Sequence, residues 1–180
     1  YTFLRNLIKS GNLGSPIRTN ATYYGGWIHN GCHLIDTIIY LFQDYPIWQK
    51  RTNKIKTKYT NDYLFEIDGI LNESKSLINI NAIDEDFYQI FDIDIWLTKG
   101  RIQINNFGKE IKIYQKFRNN LGENILIPYK HKMRNKKTEM QRAYKTIEKF
   151  LNTDKKLLIE NIDFFSAKMT MFCIWEGLEI

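Results

Sequence analysis

A chain of 180 residues with 43% hydrophobic and 14% aromatic content can bury a substantial single-domain core, and that composition argues against disorder. No apolar run approaches the roughly 20 residues that a membrane-spanning helix needs, and no basic segment followed by an apolar one opens the chain as a signal peptide would. The net charge of +6 is unevenly spread: nine acids against one base, Lys75, between Asp62 and Asp94, then twelve bases against three acids from Arg101 to Lys145.

Neighbouring strands that pair these halves across a sheet account for the segregation, whereas a basic surface for anionic ligands or nucleic acid is the functional alternative. Cys32 and Cys173 lie far apart and lack zinc-site spacing, so free thiols in a reducing cytoplasm are expected. Tyr1 is not an initiator methionine, and residues 1–10 read as the middle of an element, so the natural N-terminus is expected upstream.

In chain order, Phe3, Leu4, Leu7 and Ile8 have helical spacing over Tyr1–Ser10, with Gly11 placed to end the helix at positive φ. Gly14-Ser15-Pro16 predicts a turn, and Ile17–Tyr24 a strand by its β-branched and aromatic content. A helix of about four turns is expected over Trp27–Phe42. Pro46 closes the loop after it.

Six strands are predicted next, at Ile47–Thr57, Tyr63–Leu71, Ser76–Ala82, Ile90–Leu97, Arg101–Asn105 and Glu110–Phe117. Phe91, Ile93, Ile95 and Leu97 alternate with Asp92, Asp94 and Trp96, a period of two, and Thr98-Lys99-Gly100 reads as a hairpin turn. Leu121–Met133 is expected as a loop leading into the basic run Lys130–Lys137. Helices are predicted at Thr138–Leu151 and Asn161–Leu178, the second with Asp163 as N-cap and with Phe164, Phe165, Phe172 and Trp175 in the core. The expected class is α+β: a large, mostly antiparallel sheet covered on one face by helices, the other face open to oligomerisation.

The chemistry-bearing residues gather at the head of the helix that begins at Trp27. The stretch reads Tyr24-Gly25-Gly26-Trp27-Ile28-His29-Asn30-Gly31-Cys32-His33-Leu34-Ile35-Asp36. His29 and His33 share a helical face, with Asp36 close to it. Histidines four apart can also share a metal ion, but no Glu follows His29 in the H-E-x-x-H manner, and no metal is expected. Tyr23 and Tyr24 are strand neighbours, so one of them belongs to the core. Arg18 and the Lys130–Lys137 run are expected to be solvated surface charges rather than a phosphate or nucleic-acid site.

The stretch LRNLIKSGNLGSPIRTNATYYGGWIHNGCHLIDTIIYLF resembles the start of the C-terminal domain of the glucose–fructose oxidoreductase / inositol dehydrogenase (Gfo/Idh/MocA) family. The shared parts are Gly11-Asn12-Leu13-Gly14, the pair Gly25-Gly26, and Gly31-Cys32-His33-Leu34-Ile35-Asp36. The resemblance implies that residues 1–180 are the substrate-binding and oligomerisation domain of an oxidoreductase that uses NAD or NADP. A sugar, polyol or nucleotide-sugar alcohol would be the substrate.

It also implies a separate Rossmann domain holding the cofactor. Neither its Gly-rich phosphate turn nor its Glu-Lys-Pro stretch occurs here, so this chain alone is expected to be inactive. His33 falls on the family's catalytic histidine, suited as an acid/base near neutral pH. His29 stands where many members carry Asp, so the usual fixed negative charge is missing. His29, Asn30, Asp36 and Tyr24 are the implied substrate contacts. A homodimer or homotetramer formed through the open sheet face is implied, with no membrane partner. The alternative function is a non-catalytic binding or scaffold protein that dimerises through that face.

Overall fold

The computed structural model describes residues 1–130, 148 and 164–180. Helix α1 (Thr2–Lys9) leads into strand β1 (Pro16–Tyr24), which is followed by a π-helical turn (Trp27–Gly31) and helix α2 (Cys32–Phe42). Strands β2 (Pro46–Lys56), β3 (Tyr63–Leu71), β4 (Leu77–Ile83), β5 (Phe91–Leu97), β6 (Gly100–Asn105), β7 (Glu110–Arg118) and β8 (Asn124–Pro128) follow. The last described element is helix α3 (Phe164–Glu179).

The strands form one sheet in the order β2-β3-β4-β1-β5-β6-β7-β8. Only the β1–β4 pair is parallel; every other neighbouring pair is antiparallel. The expected α+β class and mostly antiparallel sheet are therefore observed. Two expectations need correction. Leu121–Met133 is not simply a loop: Asn124–Pro128 pairs with Arg118–Tyr114 as an edge strand. Its side chains are mostly exposed, so no burial pattern announces it, and Pro128 is tolerated because it ends an edge strand. Phe172 and Trp175 are not core: they are 48% and 64% exposed, while Cys173 and Ile174 face inward. The predicted helix over Thr138–Leu151, the Asp163 cap, the side chains of Phe164 and Phe165, and all of the basic run except Lys130 lie outside the described residues.

The sheet buries one face beneath the helices. Thr19, Ala21 and Tyr23 of β1, Ile78 and Ile80 of β4, Ile93 and Ile95 of β5, and Ile102 and Ile104 of β6 are all buried. Their alternation with half-exposed neighbours follows the two-residue period of a strand. Leu34, Ile35, Ile38, Ile39 and Leu41 make the inward side of α2, leaving His33 and Asp36 outward. Burial of such an apolar stripe, more than intrinsic propensity, stabilises a helix this short.

Trp27 is the centre of this core. Its indole lies 4.8 Å from the Phe65 ring, 5.7 Å from Trp48 and 5.8 Å from Tyr23. Its Nε1–H donates to the Ile174 carbonyl at 2.9 Å, and Trp48 Nε1–H donates to the Cys173 carbonyl at 2.7 Å. Two indoles thus tie α3 to the sheet side of the core. Arg51 adds a guanidinium at the C-terminal end of α3, donating to the Gly177 and Leu178 carbonyls at 2.9 and 2.6 Å. A cation there satisfies otherwise unpaired carbonyls and complements the helix dipole.

On the opposite face of the sheet, Asp94 of β5 and Arg101 of β6 are diagonal neighbours in register and form two hydrogen bonds, at 2.8 and 2.5 Å. This pair joins the acidic segment to the basic one, as cross-strand pairing predicts.

Candidate functional site

The chain leaves β1 at Tyr24 and turns at Gly25, whose φ of +67° is the left-handed region that glycine adopts without strain. Gly25 N–H still bonds the Ile83 carbonyl at 3.0 Å, so the turn is anchored to the end of β4. Gly26 begins the helical entry. Its carbonyl accepts from both Asn30 N–H (2.8 Å) and Gly31 N–H (3.1 Å), which widens the first turn. The uninterrupted α-helix expected from Trp27 therefore opens with a π turn and becomes α-helical at Cys32.

Asp62, the residue before β3, fixes this entry. It is 3% exposed. One carboxylate oxygen accepts from Ile28 N–H (2.9 Å) and Tyr63 N–H (2.8 Å); the other accepts from His29 N–H (3.0 Å). A helix start has unpaired N–H groups and a positive dipole end, and a carboxylate satisfies both. A Cβ on Gly26 would collide with that carboxylate, which explains glycine there. A second buried carboxylate, Asp44, follows the far end of α2 and accepts from Tyr45, Glu73 and Ser74 N–H at 2.9–3.1 Å. Asp62 holds the start of the segment, and Asp44 ties the chain that leaves its end to the β3–β4 turn.

The loop between β2 and β3 folds over the helix head. Thr57 Oγ1 donates to the Asp62 carbonyl and accepts from Tyr59 N–H, both at 3.1 Å. The Tyr59 ring stacks on the His29 imidazole, with centroids 4.2 Å apart and planes 22° from parallel. Tyr59 Oη–H donates to Glu85 Oε2 at 3.0 Å, and Lys58 Nζ lies 3.2 Å from Glu85 Oε1. Partial burial, then the hydrogen bond to Glu85 and its charge, raise the Tyr59 pKa above the ordinary phenol value. The bond to Glu85 likewise raises the Lys58 ammonium.

The expected site residues divide. His29 and Asn30 stand at the helix head with Tyr59 and Glu85. A Cβ on Gly25 would lie 2.7 Å from Asn30 Nδ2 and 3.5 Å from Glu85 Oε2, so that glycine leaves room for both. His33 is exposed one turn further along. Among the described residues, no ring nitrogen of His29 or His33 has a hydrogen-bond partner.

Asp36 turns toward α3 and accepts from Ser166 Oγ (3.4 Å) and Thr170 Oγ1 (3.3 Å). Tyr24 lies on the open sheet face, edge-on to Phe107 at 5.9 Å. Tyr23 is the core member of that pair. Arg18 is on the open face, opposite Trp96 in the register of β1 and β5. Asp62, Tyr59 and Glu85 were not foreseen, because their partners lie tens of residues away.

Cys32 and Cys173 are both free. Burial first raises the Cys32 thiol, and burial pushes Cys173 up to about 12, with the Glu176 charge adding to the shift.

The helix start at Trp27 is not a pyrophosphate site for a dinucleotide. Dinucleotide folds bind pyrophosphate at free N–H groups of a helix start. Here the Ile28 and His29 N–H groups are already committed to Asp62.

No family model matches the sequence, and no curated protein matches it. Solved structures do match in fold. A Desulfitobacterium hafniense protein provisionally named an NADPH-dependent oxidoreductase superposes with a TM-score of 0.71 at 9% identity, over 99% of this chain and 58% of that one. A super-repressor mutant of Gal80p from Saccharomyces cerevisiae gives 0.61 at 15% identity, over 99% and 59%. KijD10, a 3-ketoreductase from Actinomadura kijaniata solved with NADP, gives 0.57 at 8% identity, over 96% and 53%. The chain thus spans a little over half the length of each. These neighbours are Gfo/Idh/MocA-type proteins, and this chain shares the fold of the matched part of each.

Proposed function

We propose that this chain is the substrate-binding and oligomerisation domain of an NAD(P)-dependent oxidoreductase acting on a secondary alcohol of a sugar, polyol or nucleotide sugar. The observation that carries the reading is the exposed His33 imidazole, free of partners among the described residues, on a helix whose head is clamped by the buried Asp62. A fixed backbone beneath a free imidazole is what a general acid/base requires. His33 takes the hydroxyl proton as the carbinol is oxidised and returns it in reduction. His29 and Asn30 hydrogen-bond other hydroxyls of the same molecule. The nicotinamide that would accept the hydride is held mainly by a different domain of the intact protein, in keeping with a helix head here whose N–H groups are taken by Asp62. The fold shared with KijD10, solved with NADP, supports a nicotinamide partner.

The test is to supply the intact protein with a panel of aldoses, polyols and uridine-diphosphate sugars and to follow nicotinamide absorbance. Reduction with at least one class is expected. Failure with every class, by protein that binds the nicotinamide, contradicts the reading.

The fold shared with a Gal80p repressor supports a second reading, a binding or scaffold protein. In either reading the open sheet face is where a second copy docks. Leu77 and Trp96, 42% and 40% exposed, flank Arg18 there in register. Apolar and paired polar groups on a broad flat face suit a two-fold interface.

A further inference from the structure

His29, Tyr59, Glu85 and Lys58 come from three separate parts of the chain: the π turn, the β2–β3 loop and the β4–β5 loop. Each contact fixes the next. Lys58 neutralises and holds the Glu85 carboxylate at 3.2 Å, Glu85 holds the Tyr59 hydroxyl at 3.0 Å, and Tyr59 holds the His29 ring by its face at 4.2 Å. The Glu85 side chain is only 11% exposed, so this carboxylate is not a freely solvated surface group. The His29 backbone is fixed independently by Asp62. Backbone and ring plane are both held, while the ring nitrogens are left free among the described residues. An immobilised imidazole with free nitrogens loses little freedom when it bonds a ligand, and this favours binding.

We propose that Lys58, Tyr59 and Glu85 form a strut that positions His29 as a hydroxyl-recognition post beside His33. The strut is made of positioning residues, and His29 is the group that meets the ligand. This deepens the oxidoreductase reading and rests on it for the identity of the ligand, a polyhydroxylated molecule. The placement of His29 by the strut does not depend on any reaction.

The deciding experiment has two arms. In the first, proton NMR of the chain follows the imidazole ring protons of His29, which stacking on Tyr59 displaces upfield. Tyr59→Leu removes that displacement by deleting the ring, and serves as the reference for its loss. Glu85→Ala, which leaves the tyrosine in place, is expected to lose most of it; Tyr59→Phe, which severs only the bond to Glu85, is expected to lose part. An unchanged His29 displacement in Glu85→Ala overturns the strut.

In the second arm, the intact protein is assayed on the panel compound with the highest kcat/KM. Glu85→Ala and His29→Ala are expected to raise KM about tenfold, the weight of one hydrogen bond, with kcat changed far less. Glu85→Asp is expected to recover part of that loss. An unmoved KM in His29→Ala overturns the recognition role even if the strut stands. Failure of every panel compound would instead remove the oxidoreductase reading, leaving the first arm to decide the strut; full activity in a His33 variant would remove only the acid/base role of His33.

Discussion

The Asp62 carboxylate holds the His29 backbone N–H at 3.0 Å across 33 positions of sequence, and so makes the start of β3 the anchor of the candidate site. The same side chain serves Ile28 and Tyr63. Replacing it with Ala strands two helix-start donors in a buried place. The expected cost is about 2–4 kcal/mol, from the loss of a cap and of charged hydrogen bonds. Asp62→Asn keeps an acceptor and is expected to cost roughly half as much. Urea unfolding of the two variants measures both values.

Trp27 is enclosed by α3 on one side and its own turn on the other. A Cβ at Gly177 would lie 2.9 Å from Trp27 Cζ2, and one at Gly31 would lie 2.8 Å from Trp27 Cε3. Gly177→Ala gains about 1 kcal/mol of helix propensity but must displace a fully buried indole. Overpacking of that kind costs about 1–3 kcal/mol, so a small net loss is expected. Trp27→Ala, which empties the site, is expected to cost about 3–5 kcal/mol. Thermal and urea unfolding distinguish the two magnitudes.

Alkaline pH loads the core. Burial pushes the Cys173 thiol from 9.0 up to about 12, and burial raises the Tyr23 hydroxyl well above 10.0. Both are neutral acids that hold their protons more tightly in the folded state. Their stabilisation is therefore fully present below the unfolded pKa and is lost as pH rises through the folded value. For Cys173 the decline begins near pH 9 and continues to about 12. Cys173→Ala is expected to flatten the fall in unfolding free energy across that window, as measured by urea titrations at stepped pH. Cys32, half-buried rather than sealed, is expected to react with a thiol reagent before Cys173 does.

Trp96 tests the open face. A second copy docked on the sheet would cover it, so Trp96→Glu is expected to shift sedimentation toward monomer while leaving circular dichroism unchanged. An unaltered assembly in that variant places the interface elsewhere.

The parts of this fold legible in sequence are those governed by local period. Phe91, Ile93, Ile95 and Leu97 mark β5 by alternation, and Phe3, Leu4, Leu7 and Ile8 mark α1 by helical spacing. Strand β8 escaped because an exposed edge strand has little burial to pattern it. Phe172 and Trp175 lie outward because aromatic content alone does not fix which face of a helix is buried. The inward face of α3 is set instead by what the indoles of Trp27 and Trp48 bond, the carbonyls of Ile174 and Cys173. At the site, His29 and His33 were visible from their four-residue spacing. Tyr59, Asp62 and Glu85 were not, because their roles exist only once β3 and the β4–β5 loop fold beside α2.

The most direct measurement is kcat of the intact protein carrying His33→Asn, on the panel alcohol that the parent oxidises. Loss of a general acid/base predicts a fall of about 10²–10⁴-fold, with folding unchanged. Turnover equal to the parent's would contradict the role assigned to His33.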